Sequence, residues 1–263
     1  MRKAHDKKGS NGNSEYGKLF YAVILSNKEC NFGPTGLDNK QVYSIHYEDI
    51  GALVSDYPRV DSIKLLRKNL LPYHQIVKEA SEHFTTIPAK FGQIARDAGE
   101  VSIALRKSYR AIREGLNRLD NKMEMGLKVS WNVDDVFQYF LKKDDKLKLL
   151  RDRHMNSNKT PNRRDLIDFG SYFHSRMDEA RKQITKEILA ALPPGEARIE
   201  DVNDDFMVTN ATLLVTKDLR SDLENAMDTL GKKMGDEYSL KLEGPWPPFS
   251  FVDRLELHLE NRL

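Results

Sequence analysis

The chain has 263 residues, 39% hydrophobic and 31% charged, with 42 lysines and arginines against 40 aspartates and glutamates and a formal net charge of +2. That is a globular profile with length for one large or two ordinary domains, and its near-neutral balance argues against a dedicated nucleic-acid binder, which carries a basic excess or stripe. The single cysteine, Cys30, excludes an intramolecular disulfide and a cysteine-built zinc site and suits a reducing compartment.

Residues 1–16 are Gly, Ser, Asn and charge, and read as a disordered tail. No apolar stretch follows Met1-Arg2-Lys3, so no secretory signal is legible and the cytoplasm is the expected compartment. The run Leu19–Leu25 is too short to cross a bilayer; with its β-branched and aromatic neighbours it predicts a buried strand over 18–25. Asn31 to Gly36 has turn chemistry. Val42–Tyr47 and Gly51–Ser55 predict a hairpin, closed by Pro58. Asp61 or Ser62 is a candidate cap for a helix carrying Leu65, Leu66 and Leu70. Pro72, a good first-turn residue, opens a second helix with Tyr73, Ile76, Val77, Ala80 and Phe84 on one face. The strongest helical period is 99–119, with Val101, Leu105, Ile112, Leu116 and Leu119 on one face and Arg106, Lys107, Arg110, Arg113 and Arg118 elsewhere. Those basic residues read as a solvated face.

The second half begins again with a strand at Gly126–Trp131. A helix over about 133–149, a polar loop over 151–164 and a long helix over 166–192 follow, the last stopped by Pro193-Pro194-Gly195. Two strands (197–202 and 211–216), a helix (219–234) and a last strand (238–242) complete the succession. Strand, helices, strand, strand, helix, strand is the split β-α-β order of ferredoxin-like folds. The fold class is therefore α+β in two domains, 17–121 and 122–263.

Catalytic signatures are sparse: there is no P-loop, dinucleotide fingerprint or nucleophile elbow. His74, Glu79, Glu82 and His83 form one candidate metal or acid–base cluster, and Glu79 and His83 share a helix face. The alternative is ordinary helix-surface polarity. Asp201, Asn203, Asp204 and Asp205 suit a divalent cation or a plain turn. A metal- or nucleotide-dependent enzyme built on either group is the alternative function. Pro88-Ala89-Lys90-Phe91-Gly92 joins a helix stop to an apolar anchor and a flexible residue. Gly244-Pro245-Trp246-Pro247-Pro248-Phe249-Ser250-Phe251-Val252 reads as a stiff aromatic strap that packs back on the sheet, with a PxxP ligand as the lesser alternative.

Taken together, these segments resemble the gas vesicle protein F/L family, and the F type within it. The resemblance rests on Pro72-Tyr73-His74-Gln75, Pro88-Ala89-Lys90-Phe91-Gly92, Glu124-Met125-Gly126-Leu127-Lys128-Val129, Gly170-Ser171-Tyr172-Phe173 and the strap, and spans about residues 18–252. Met125 stands where the family has an aromatic and Lys90 where it has arginine. The resemblance implies a two-domain α+β protein with a modified ferredoxin-like C-terminal domain. It implies a non-enzymatic accessory protein of gas vesicle assembly that contacts the major hydrophobic shell protein and other accessory proteins, with no cofactor, nucleic acid or membrane. It marks Pro72, His74, Pro88, Phe91, Gly92, Gly126, Lys128, Gly244, Pro245, Trp246, Pro247, Pro248, Phe249 and Phe251 as structural or partner-contact positions.

Overall fold

The structure, a computed structural model, describes residues 15–60, 62–155 and 163–252. The expected tail at 1–16 falls almost wholly outside them, and the chain is already in β1 (Tyr16–Leu25) at its last residue. Two compact units are formed, one from the chain up to Asp120 together with the segment from Pro247, the other Asn121–Trp246.

In the first unit, β1 lies inside an antiparallel sheet with β2 (Asn31–Gly33), β3 (Val42–Tyr47), β4 (Ile50–Pro58) and β5 (Thr86–Pro88) in the order β2-β3-β4-β1-β5, while β6 (Ile94–Ala95) also pairs with β1. The unbroken apolar run of β1 matches its place: Leu19 to Ile24 are buried without a gap. The expected hairpin is β3–β4, with Tyr47 opposite Ile50. Asn31 to Gly33 is a short edge strand as well as a turn. The Asn31 side chain accepts from the Gly33 amide while Asn31 pairs with Tyr43, so one residue serves both.

The two expected helices around Pro72 are one, α1 (Arg67–His83), which runs through the proline. Pro72 lies only in the second turn, so its missing N–H forgoes one ladder bond near the helix start. Ser62 does not cap it: the N-cap is Leu66, with no side-chain hydrogen bond, and Asp61 is outside the described residues. Tyr73, Ile76, Val77 and Ala80 join Leu19, Tyr21, Ile24 and Leu53 in one core. α2 (Ala98–Leu119) follows the expected face and is capped by Asp97, which accepts from the Glu100 amide. It packs against β1, β3, β4 and β5.

The second unit is a four-stranded antiparallel sheet, β10-β7-β9-β8, from β7 (Lys122–Trp131), β8 (Gly195–Ile199), β9 (Met207–Thr216) and β10 (Tyr238–Trp246). The helix expected at 133–149 is broken into α3 (Val136–Lys143) and α4 (Asp145–Met155). Asp144 ends the first and accepts from the Lys146 and Leu147 amides at the start of the second. α5 (Arg163–Ala191) and α6 (Arg220–Met234) match expectation. Met123, Met125, Leu127, Val129 and Trp131 alternate onto the helix-covered face of β7 and meet Phe140, Leu147, Met177, Ile188, Leu223 and Leu230. Among the described residues, no helix is long and apolar enough to cross a membrane.

Candidate interaction surfaces

The motif positions separate into two frameworks, one in each unit. The first centres on Tyr73, which is 5% exposed and donates from its hydroxyl to the Ala89 carbonyl. Burial pushes its phenol far up. Pro72 sets Tyr73 on the inward face of α1; Pro88 ends β5 opposite Ala22. Gly92, at φ +84°, turns the chain so that Phe91 meets the Tyr73 ring edge-on at 5.3 Å. The strap supplies the remaining wall. Phe249 lies 6.5 Å from Tyr73 and 5.1 Å from His74, centroid to centroid. Pro247 and Pro248 are buried, and Phe251 is 1% exposed beside Ile87, Gly115 and Leu119.

The strap therefore packs back as expected, but from Pro247 onward it belongs to the first unit, whereas the sequence reading gave all of it to the C-terminal domain. The PxxP alternative over Pro245–Pro248 falls because Pro248 is buried, and such a ligand must present both of its prolines.

The second framework is on the β7–β10 ladder. The strap's first half is not loose: β10 continues through Gly244 and Pro245 to Trp246, with one extra residue between Glu243 and Trp246. The Gly244–Pro245 peptide is cis. Glu243 stands opposite Gly126 and bridges Lys128 (3.1 Å) and Lys241 (2.5 Å), whose ammonium groups hold its carboxyl below the usual range. Trp246 crosses over Gly126, so closely that a Cβ there would lie 2.8 Å from the ring.

The two candidate chemical clusters dissolve. His74 is exposed, though partial desolvation beside the Phe249 ring lowers its pKa, and Glu82 and His83 are exposed further along α1. Among the described residues, no three His, Cys, Asp or Glu side chains come together as a metal site. The aspartate loop is a clamped turn. Asp204 accepts from the Phe206 amide, and the Arg181 guanidinium donates to the carbonyls of Asp204 (2.9 Å) and Met207 (2.9 Å). Nothing in the helical period of α5 sets Arg181 apart, so its clamp was not legible. Asp201 and Asn203 rim an open groove of about 760 Å³ between α5 and the end of β8, floored by Thr185, Leu189, Ile199 and Val208. The basic face of α2 is partly neutralised, with Arg110 on Glu114 and Arg113 on Asp49. Leu65 and Leu66, expected on a helix with Leu70, are 74% and 47% exposed, and Leu71, which the sequence did not single out, is 55% exposed.

The same fold is found in the crystal structures of gas vesicle protein GvpF from Anabaena sp. PCC7120 and from Microcystis aeruginosa. The TM-scores are 0.81 and 0.70; identity is 20% in both, with 90% and 89% of this chain and 98% of each of those chains covered. The model of the family described as gas vesicle synthesis protein GvpL/GvpF matches residues 17–253, and the chain belongs to that family. Among its relatives, gas vesicle protein L1 of Halobacterium salinarum is 23% identical over 258 residues, 90% of either chain. Gas vesicle protein F of Haloferax mediterranei is 24% identical over 217 residues, 81% of this chain and 83% of that one. Both types match at similar identity.

Proposed function

We propose that the chain is a non-enzymatic accessory factor of gas vesicle assembly, F-type in role, that binds the major hydrophobic shell protein in the cytoplasm and hands it to the growing vesicle. The observation that carries this reading is the family match over residues 17–253. The physical need is plain. A subunit that will face gas exposes apolar surface before it polymerises, and exposed apolar patches and strand edges aggregate in water. A partner that covers such a patch needs apolar surface of its own.

In this chain the strap's Phe249 and Phe251 are spent on internal packing, whereas Leu65, Leu66 and Leu71 stand exposed within seven residues at the start of α1. We assign the shell contact to these leucines. The second unit we read as a modified ferredoxin-like domain, supported by the β10-β7-β9-β8 order.

The test is a pull-down of the major shell protein by the purified full-length chain, with other accessory proteins as controls. Selective capture that withstands moderate salt is expected for an apolar contact. The variant L65S/L66S/L71S should lose capture with an unchanged melting curve. Capture of accessory proteins alone would overturn the direct role, and capture undiminished in the triple variant would overturn the assignment to α1.

A further inference from the structure

The edge strand β8 has a self-complementary sequence. Among the described residues it pairs only with β9, and all five of its residues, Gly195-Glu196-Ala197-Arg198-Ile199, are exposed. An exposed edge of free N–H and C=O groups is a template for another strand. The direction of those groups is fixed by the neighbouring pair. The Glu200 amide donates to the Asn210 carbonyl, and the register continues as Ile199↔Ala211, Arg198↔Thr212 and Ala197↔Leu213. In an antiparallel ladder the backbone groups alternate sides. Those of Glu196 and Arg198 therefore point to β9, and those of Gly195, Ala197 and Ile199 point to the open side.

We propose that β8 pairs antiparallel with β8 of a second copy of this chain, about a two-fold axis through Ala197, joining two four-stranded sheets into one of eight strands. In this register Ala197 faces Ala197 of the other copy, and each donates to the other's carbonyl. Gly195 faces Ile199 across the axis, also as a hydrogen-bonded pair, and the glycine leaves room for the branched side chain. Glu196 faces Arg198 in the non-hydrogen-bonded position, where opposed side chains come closest. The two-fold produces that opposite-charge pair twice, as an isologous contact requires. Shifting the pairing by two residues removes the match, so the charges specify the register as well as the partner. Glu196 also lies 4.0 Å from Lys122, on the sheet face that Arg198 shares. On the other face Ile199 lines the groove beside α5, which the added strand would extend. A five-residue strand pair is small beside the roughly 1,600 Å² of a standard stable interface, so the dimer is concentration-dependent.

The experiment is sedimentation equilibrium of the full chain over a wide concentration range. A reversible monomer–dimer equilibrium is expected. Ala197→Pro removes an outward N–H that β9 does not use, and edge strands tolerate proline there. It should weaken dimerisation about tenfold or more, the worth of two lost hydrogen bonds, and leave the melting curve unchanged. Glu196→Arg alone and Arg198→Glu alone should each be monomeric. An equimolar mixture of the two should form a heterodimer, because each then meets its opposite charge. A wild-type chain that stays monomeric at its highest soluble concentration overturns the proposal. So does a dimer that the single charge reversals leave intact, or one whose mixture fails to recover.

Discussion

Trp246 closes over Gly126 across the β7–β10 ladder, with no space between ring and backbone for even one methyl group. The glycine is therefore a seat for the indole, and its place in the motif Glu124-Met125-Gly126 follows from β10 continuing into the strap. Gly126→Ala should push the ring outward, red-shift its emission and cost about 1 kcal/mol, the low end for overpacking because the indole is at the surface and free to move. The check is tryptophan fluorescence in a Trp131→Phe background, alongside a melt. An unshifted emission maximum would mean that the ring does not sit on Gly126.

Phe251 makes a different demand. It is 1% exposed and lines a cavity of about 340 Å³ together with Ile87 of β5 and Gly115 and Leu119 of α2. Phe251→Ala should cost about 3 kcal/mol or more, as large-to-small changes of buried phenylalanines do. The loss should fall on the transition of the first unit alone, although residue 251 lies beyond the second unit in sequence. Hydrogen exchange resolved by segment checks this: β1, β4 and α1 should lose protection while β7 and β9 keep theirs.

The elements most legible in the sequence were those whose period is unopposed. β1, the β3–β4 hairpin, α2, α5 and α6 fall close to their expected bounds because one apolar stripe or run dictates each. Errors came where a single local signal competes with tertiary packing. Pro72 reads as a helix start, yet the helix runs through it, and Tyr73, Ile76 and Val77 pack it into the core of the sheet. The apolar period predicts one helix over 133–149, yet Asp144 splits it in two. The motif positions were legible as a set, but their division between two units was not, because nothing in Trp246-Pro247 announces that the chain leaves one core for another there. The exposure of Leu65 and Leu66 was also hidden, since three-four spacing carries no information on whether anything covers the face.

Asp144 gives a prediction on the second unit. Its carboxylate is opposed by burial, but the Leu147 and Lys146 amides and the Arg176 guanidinium at 2.8 Å outweigh that and hold its pKa below the usual value. Asp144→Ala should remove the cap of α4 and cost about 1 kcal/mol, typical of a lost helix cap. The depressed pKa fixes the sign with pH. The contribution is complete above the unfolded carboxyl value of 3.8 and fades as pH falls through the lower folded one. Wild type and variant should therefore differ in chemical-denaturation midpoint at neutral pH and converge in strong acid.

His74 has the opposite chemistry and a window nearer physiological pH. Although His74 is exposed, partial desolvation with the Phe249 ring 5.1 Å away lowers its pKa from the ordinary 6.5, so the folded chain favours the neutral imidazole. The unfolded chain then binds the proton more readily. Stability contributed by this site is complete above about pH 6.5 and is lost as pH falls toward and through the folded value. The strap's hold on α1 at Phe249 should loosen over that interval, while the β7–β10 ladder stays unchanged. His74→Gln, which cannot charge, should flatten the dependence as pH falls below the ordinary imidazole value of 6.5. The measurement is a series of urea midpoints for both proteins at half-unit steps of pH. Parallel curves would show that the His74 imidazole titrates freely and that the aromatic contact does not depend on its charge.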